Sequence, residues 1–300
     1  MVQGEMPNGR TALVSSQSWA SVAESGEAER ILGEVRSAKR RRSVRERRRA
    51  LVVRVTSLVI VFVAWQLYGM HTIPILFDPI STVVHDGYNL FADGTLGPAL
   101  GYSMWTFAMG YVIGGVVGVV VGLLLGAYRY VEAAASMYVY ALYATPMVAL
   151  VPIISLWIGF SATAQVVIIS LFVVWPMTVT VYHGVRNIDP ELMEVARSIR
   201  LNRRQTWIHV LLPGSVPFVI TGATQGIAMA LVGMIIAEIQ TELTGIGRVL
   251  ESESSTYHTA AALSVVLLIM VLGVVLRTLL VLAQRYLIPW MRMERGGRKR

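Results

Sequence analysis

Six apolar stretches, each near the length that a helix needs to cross a bilayer, constrain this chain more than any other feature of its sequence. A hydrocarbon core about 30 Å thick takes roughly 20 helical residues, and only structures that satisfy their own backbone polar groups survive there. The stretches fall at about 51–69, 99–127, 131–157, 164–182, 216–239 and 260–281. The expected architecture is therefore all-α, a polytopic bundle of six transmembrane helices. Hydrophobic residues make up 55% of the chain and charged ones only 15%, more apolar surface than one water-soluble core would bury. The third stretch contains Pro146 and Pro152 and is expected to kink or break near its far end, and the fourth contains Pro176.

The charges divide between the two sides of such a bundle. Residues 1–50 form a basic extension, read as unstructured or partly helical, that ends in Lys39, Arg40, Arg41, Arg42, Arg45, Arg47, Arg48 and Arg49. A cluster of that kind holds an N-terminus in the cytoplasm, and it can also meet anionic lipid or a partner. Residues 70–98 have no Lys or Arg but carry Asp78, Asp86 and Asp93, so they face outward. Arg186, Arg197, Arg200, Arg203 and Arg204 then place the segment between the fourth and fifth spans inside. Glu238, Glu242, Glu251 and Glu253 mark an outer segment, and the basic tail 291–300 returns inside, which leaves both termini cytoplasmic and 51–290 as the membrane domain.

The formal charge of +8 does not indicate nucleic acid, because the basic residues sit beside the apolar stretches rather than on a separate domain. The absence of cysteine excludes disulfides, thiolate metal sites and cysteine nucleophiles. The histidines lack metal-ligand spacing, and no Gly-x-x-x-x-Gly-Lys-Ser/Thr phosphate loop is present. No metal, no cofactor and no catalytic residue is assigned, and the chain is not read as an ATPase or another enzyme.

Two patterns carry more detail. Gly110, Gly114, Gly118, Gly122 and Gly126 recur every four residues along the second stretch, a ridge on which a neighbouring helix can pack closely. Between the fourth and fifth stretches, at about 187–213, lies an amphipathic elbow. Asp189 is placed to cap a short helix, with Pro190 in its first turn and Glu191 favourable to its dipole. Leu192, Val195, Ala196 and Ile199 give that helix an apolar face that needs covering, by a partner, by the bundle itself or by lipid headgroups. Asn202 and Gln205 have the spacing of a capping box for a second short helix, after which Pro213 and Pro217 are expected to turn the chain into the fifth span. Polar groups at membrane depth are few. Thr221, Gln225 and Glu238 are candidates for a path or for hydrogen bonds between helices.

The run Glu194-Val195-Ala196-Arg197-Ser198-Ile199-Arg200, followed by Leu212-Pro213, resembles the EAA loop of bacterial ABC importer permeases. That pattern is Glu-Ala-Ala, three residues, Gly, then a spacer ending in Leu-Pro. Glu194, Ala196, Leu212 and Pro213 match it, Val195 replaces the first Ala, and Arg200 stands at the usual Gly. Because Arg adopts a left-handed backbone only at about 1 kcal/mol or more, the turn is expected to be more helical or to move to Asn202. Pro74, Pro79, Thr145-Pro146, Pro152, Trp157-Ile158-Gly159 and Gly245-Ile246-Gly247 are similar to the nitrate, sulfonate and taurine branch.

The resemblance implies a type I importer permease in a bacterial inner membrane. Its coupling helices would engage two cytoplasmic ATPase subunits through Asp189, Glu191, Leu192, Glu194, Val195, Ala196, Arg197, Ile199, Arg200, Arg203 and Pro213. It also implies a second permease copy, most simply an identical one, and a substrate-binding protein that delivers a small anion to acidic outer loops. An ion-gradient-driven secondary transporter is the alternative, although its coupling carboxylates and histidines within the spans are scarce.

Overall fold

The computed structural model describes residues 26–241 and 244–287, with side chains described from residue 46 to residue 284 apart from residue 47. The first 25 residues of the basic extension, Glu242 and the tail 291–300 lie outside the described residues. Every regular element among those described is helical. α1 is Gly26–Met70, α2 Ile80–Ala92, α3 Leu96–Ala127, α4 Arg129–Ala144, α5 Val151–Ile158 and α6 Ala162–Arg186. They are followed by α7 Pro190–Ser198, α8 Arg203–Thr206, α9 Leu212–Thr241, α10 Ile246–Ser255 and α11 Thr259–Leu287.

Five helical segments are long and apolar enough to cross a membrane, at Arg48–Met70, Leu96–Ala127, Ala162–Arg186, Arg203–Thr241 and Thr259–Gln284. A sixth candidate is the pair formed by α4 and Met147–Ile158, which together are long and apolar enough and whose two limbs meet at 87°. Pro146 explains the break. Thr145 before it is extended, as steric contact with a proline ring demands, and Pro146 itself has ψ 99°. The helix that carries the first span, Arg48–Met70, runs unbroken from Gly26, so the basic extension is helical from that residue, one of the two alternatives that the sequence left open. The Arg, Glu, Ala and Lys residues of 26–50 are good helix formers, which hydropathy alone does not register.

The described residues divide into two units, one ending at Trp65 and the other beginning at Gln66. Within the second, α6 is the central helix, with 67% of its apolar window buried against 6% for α11. α3 and α9 flank it. The glycine ridge explains the approach of α3. A Cβ on Gly114 would stand 2.5 Å from the Ser170 carbonyl oxygen, one on Gly118 2.7 Å from Met177 Cβ, and one on Gly122 2.7 Å from the Thr178 carbonyl oxygen. At the two ends, Gly110 lies against Ile169 and Gly126 against Val185. Helices this close let side chains reach backbone across the seam, as Ser170 does in donating to the Gly110 carbonyl at 3.1 Å. Tyr111 ties α3 to α9 by donating to the Ala223 carbonyl at 2.9 Å, and Gln165 donates to Thr241 at 2.7 Å.

The acid-bearing end of the bundle is built from pieces that hydropathy missed. α2 and α10 are too short and too polar on one face to span, and both pack against α11. The loop before α2 is strapped to the start of α11, where Thr259 donates to the Ile75 carbonyl at 2.6 Å and the Ala260 N–H donates to the Asp78 carboxylate. Asp78, one of the acids that mark the outward-facing segment in the sequence, is thus buried. Burial, and then the neighbouring Asp86, push its carboxyl above the usual carboxylate value, while the Ala260 N–H pulls it down.

Candidate functional site: the elbow between the fourth and fifth spans

Helix caps specify the elbow. The Asp189 carboxylate accepts the Glu191 N–H at 3.0 Å with Pro190 in the first helical position, which satisfies donors that α7 cannot satisfy itself. At the second helix, Gln205 N–H donates to Asn202 Oδ1 at 2.8 Å and Asn202 N–H to Gln205 Oε1 at 2.9 Å, a reciprocal capping box.

The turn between these helices corrects the sequence expectation. Arg200 has φ 51° and occupies the left-handed conformation itself, and the turn neither moves to Asn202 nor becomes helical. The reason lies in the hydrogen bonds around it. Leu201 N–H donates to the Ala196 carbonyl at 3.0 Å and Arg200 N–H to the Arg197 carbonyl at 3.0 Å, the paired bonds of a Schellman motif. Those bonds satisfy two terminal carbonyls of α7 only if the residue at position 200 is left-handed, so the motif sets the backbone and Arg200 carries the strain.

The second half of the elbow also departs from expectation. Pro213 and Pro217 do not turn the chain, because Arg203–Thr241 is one helical span. A π-type turn at Trp207–Leu211 precedes the prolines, and there the Leu212 N–H bonds the Trp207 carbonyl. This wider turn changes the hydrogen-bond register ahead of Pro213, whose ring and missing N–H would otherwise disturb a regular helix.

α7 leaves most of its apolar face uncovered. Leu192 is 52% exposed, Val195 58% and Ile199 64%, whereas Ala196 is buried toward the bundle. Glu191, Glu194, Arg197 and Arg203 are exposed around them. The elbow therefore presents three large apolar side chains within a ring of charges, on a short helix fixed at both ends.

Behind the elbow is a cavity of about 650 Å³, lined among others by Tyr128, Arg129, Arg197, Leu201, Arg203 and Trp207. Beside it, Glu132 of α4 accepts from Tyr182 at 2.6 Å and from Arg186 at 2.9 Å, both on α6. Tyr140 meets His183 Nε2 at 3.0 Å. The sequence reading passed over these contacts. The signal available was Tyr182 and Arg186 one turn apart on α6, with a lone acid, Glu132, on the arginine-rich side.

The candidate path residues separate. Gln225 and Thr221 lie on one exposed face of α9, with Gln225 accepting from Thr180 of α6 at 2.9 Å. Glu238 is fully buried and does not lie on that face. Its carboxylate accepts the Gly247 N–H at 2.7 Å at the start of α10, and the Ser103 hydroxyl, which accepts the Ile246 N–H at 2.9 Å, stands beside it. The Gly245-Ile246-Gly247 turn is shaped around this acid. A Cβ on Gly245 would collide with the Glu238 carboxyl carbon, and one on Gly247 would stand 2.9 Å from Glu238 Cβ.

The family model described as "Binding-protein-dependent transport system inner membrane component" matches residues 114–293, from the glycine ridge through the elbow to the last span. The chain belongs to this family. Among its relatives is SsuC of Escherichia coli strain K12, named as an aliphatic sulfonates transport permease, which is 32% identical over 229 residues, 75% of this chain and 87% of that protein. TauC of the same organism, a taurine transport system permease protein, is 26% identical over 145 residues, 48% of this chain and 53% of that one. In fold, this family member is similar to a chain of a crystallised amino acid ABC transporter at a TM-score of 0.51, with 20% identity over 63% of this chain and 92% of the other. A chain of the MetNI methionine ABC transporter gives a TM-score of 0.50 at 19% identity, with the same coverage. The protein is accordingly a multi-pass inner-membrane permease with the helical fold of ABC importers, the component of such systems that is not itself the ATPase.

Proposed function

We propose that this chain is the membrane-spanning permease subunit of an ATP-driven importer, passing a small sulfonate-, taurine- or nitrate-like anion that a binding protein hands over. The uncovered apolar face of α7 carries the proposal. Leu192, Val195 and Ile199 stand out from a capped helix between two spans, where they are suited to seat in a groove of another protein. In this reading the arginine-rich end and both termini face the cytoplasm. Two ATPase subunits grip the elbows of two identical permease copies, and Glu191, Glu194, Arg197 and Arg203 surround each contact. Thr221 and Gln225, with Thr180 of α6 bonded to Gln225 and with His183 and Tyr140 on α6 and α4, line the anion's route with hydrogen-bonding groups. Sulfonate as cargo rests on the SsuC and TauC relationships.

The test is co-purification with a cassette ATPase subunit, and sulfonate-stimulated ATP hydrolysis when a binding protein is supplied to the complex in vesicles. Glu194→Ala and deletion of 189–204 are expected to abolish the stimulation. Leu192→Asp and Val195→Asp, at exposed positions that leave the fold intact, are expected to abolish co-purification. Transport by the chain alone in ATP-free vesicles would sink the proposal in favour of an ion-driven carrier.

A further inference from the structure

The elbow has a second working face. While Leu192, Val195 and Ile199 point outward, Met193, Ala196, Arg197 and Leu201 line the cavity of about 650 Å³ between the elbow and the joint of α3 with α4. Arg129 enters from the joint, Arg203 from α8, and Tyr128, Tyr130 and Trp207 supply aromatic wall. Three arginines thus line one concavity that has no acidic residue in its lining. None of the three is ion-paired among the described residues, and the acid next along α4, Glu132, is taken by Arg186 and Tyr182. Like charges gathered this way repel one another, and an oxyanion that they share relieves the repulsion while using their planar donors. The Tyr128 and Trp207 rings, with centroids 5.6 Å apart, offer an apolar wall beside that charge. The volume falls within the range of about 300–1,000 Å³ in which small-molecule sites lie.

We propose that this cavity is a binding site for an amphipathic oxyanion, a phosphate or sulfonate head shared by Arg129, Arg197 and Arg203 with an apolar body against Tyr128 and Trp207. An anionic lipid headgroup and a free organic anion on the arginine-rich side have this same chemistry. Either would bridge α7 to the α3–α4 joint and stiffen the elbow from behind, leaving its outward apolar face free. The site needs no partner protein, so its test is independent of the importer reading.

The full chain, without any ATPase subunit, is placed in phosphatidylcholine nanodiscs, and hydrogen exchange of residues 190–212 is followed in two arms. One adds phosphatidylglycerol to the bilayer, and the other adds soluble hexanesulfonate. Slowed exchange in either arm supports the site and identifies the source of the anion. Arg129→Gln, outside the elbow, is expected to weaken the effect about tenfold or more in anion concentration, as befits loss of a charge-assisted contact. Arg129→Lys weakens it less, and Arg204→Gln, at a position that does not line the cavity, leaves it within about twofold. Unchanged exchange in both arms overturns the proposal. So does a response in which Arg129→Gln, with native exchange before the anion is added, remains as sensitive as the unaltered chain.

Discussion

Replacing Arg200 with glycine is expected to tighten the elbow, contrary to the usual outcome of putting glycine where a side chain stood. At φ 51° an L side chain is strained by about 1–2 kcal/mol through Cβ contact with the adjoining carbonyl. Glycine removes that strain but widens the conformational freedom of the opened chain by about 0.4–1 kcal/mol. The net gain is about 0.5–1 kcal/mol for closing the Schellman turn, which corresponds to about a two- to fivefold slowing of amide exchange through local opening. The amides to follow are those of Arg200 and Leu201, which donate to Arg197 and Ala196. Exchange read by mass spectrometry on the chain in nanodiscs resolves such a change. Arg200→Asn is expected to approach glycine, since Asn tolerates this region, and Arg200→Val to accelerate exchange, since a β-branched residue there is an outlier. If glycine left protection unchanged or lowered it while valine had no effect, the turn would not hold the left-handed conformation and the account of the strain would be wrong.

Three other perturbations follow from the packing. Gly114→Ala is expected to destabilise the bundle by about 1–3 kcal/mol, because the added Cβ meets Ser170 backbone that cannot step aside. Gly115→Ala, with nothing within 4 Å, should leave the detergent melting temperature unmoved, and equal shifts for the two would refute the ridge. Glu238→Ala strands the buried Gly247 N–H at a cost of about 1–3 kcal/mol, whereas Glu238→Gln keeps an acceptor in place. Protease nicking of 244–250 should rise in the first variant and not in the second. Asp78 is held above its ordinary value of 3.8, so the folded state binds a proton more readily than the unfolded one. Its contribution therefore weakens as pH rises from 3.8 through the folded value and recovers as pH falls. Asp78→Asn, which keeps an acceptor for Ala260, should flatten that part of the dependence of loop exchange on pH, and an unaltered profile would count against it.

How far such features can be read without coordinates depends on the range over which their causes act. Spans, caps and the capping box are set within a few residues, by runs of apolar side chains or by an Asn reaching the N–H three positions on, so the sequence displays them. The glycine ridge is legible for the same reason, although its partner helix is not, because nothing in residues 110–126 indicates that Ser170 and Thr178 lie opposite. Arg200 shows where local reasoning fails. Propensity argues against a left-handed arginine, but the two hydrogen bonds closing α7 are made together and outweigh one strained residue. Glu238 shows the converse. A carboxylate near the end of a span looks like a gate when only its depth is known, yet its role comes from Gly247 and Ser103, one beyond a turn and the other on a distant helix. The cavity behind the elbow draws its three arginines from α4, α7 and α8, and each taken singly is an ordinary interfacial charge. Only the fold of the elbow back onto the α3–α4 joint converts a topology signal into a concentrated positive field. The features most open to functional use are thus those whose parts are far apart in the chain, which is why a reading by segments finds the elbow's caps and misses the cavity that lies behind them.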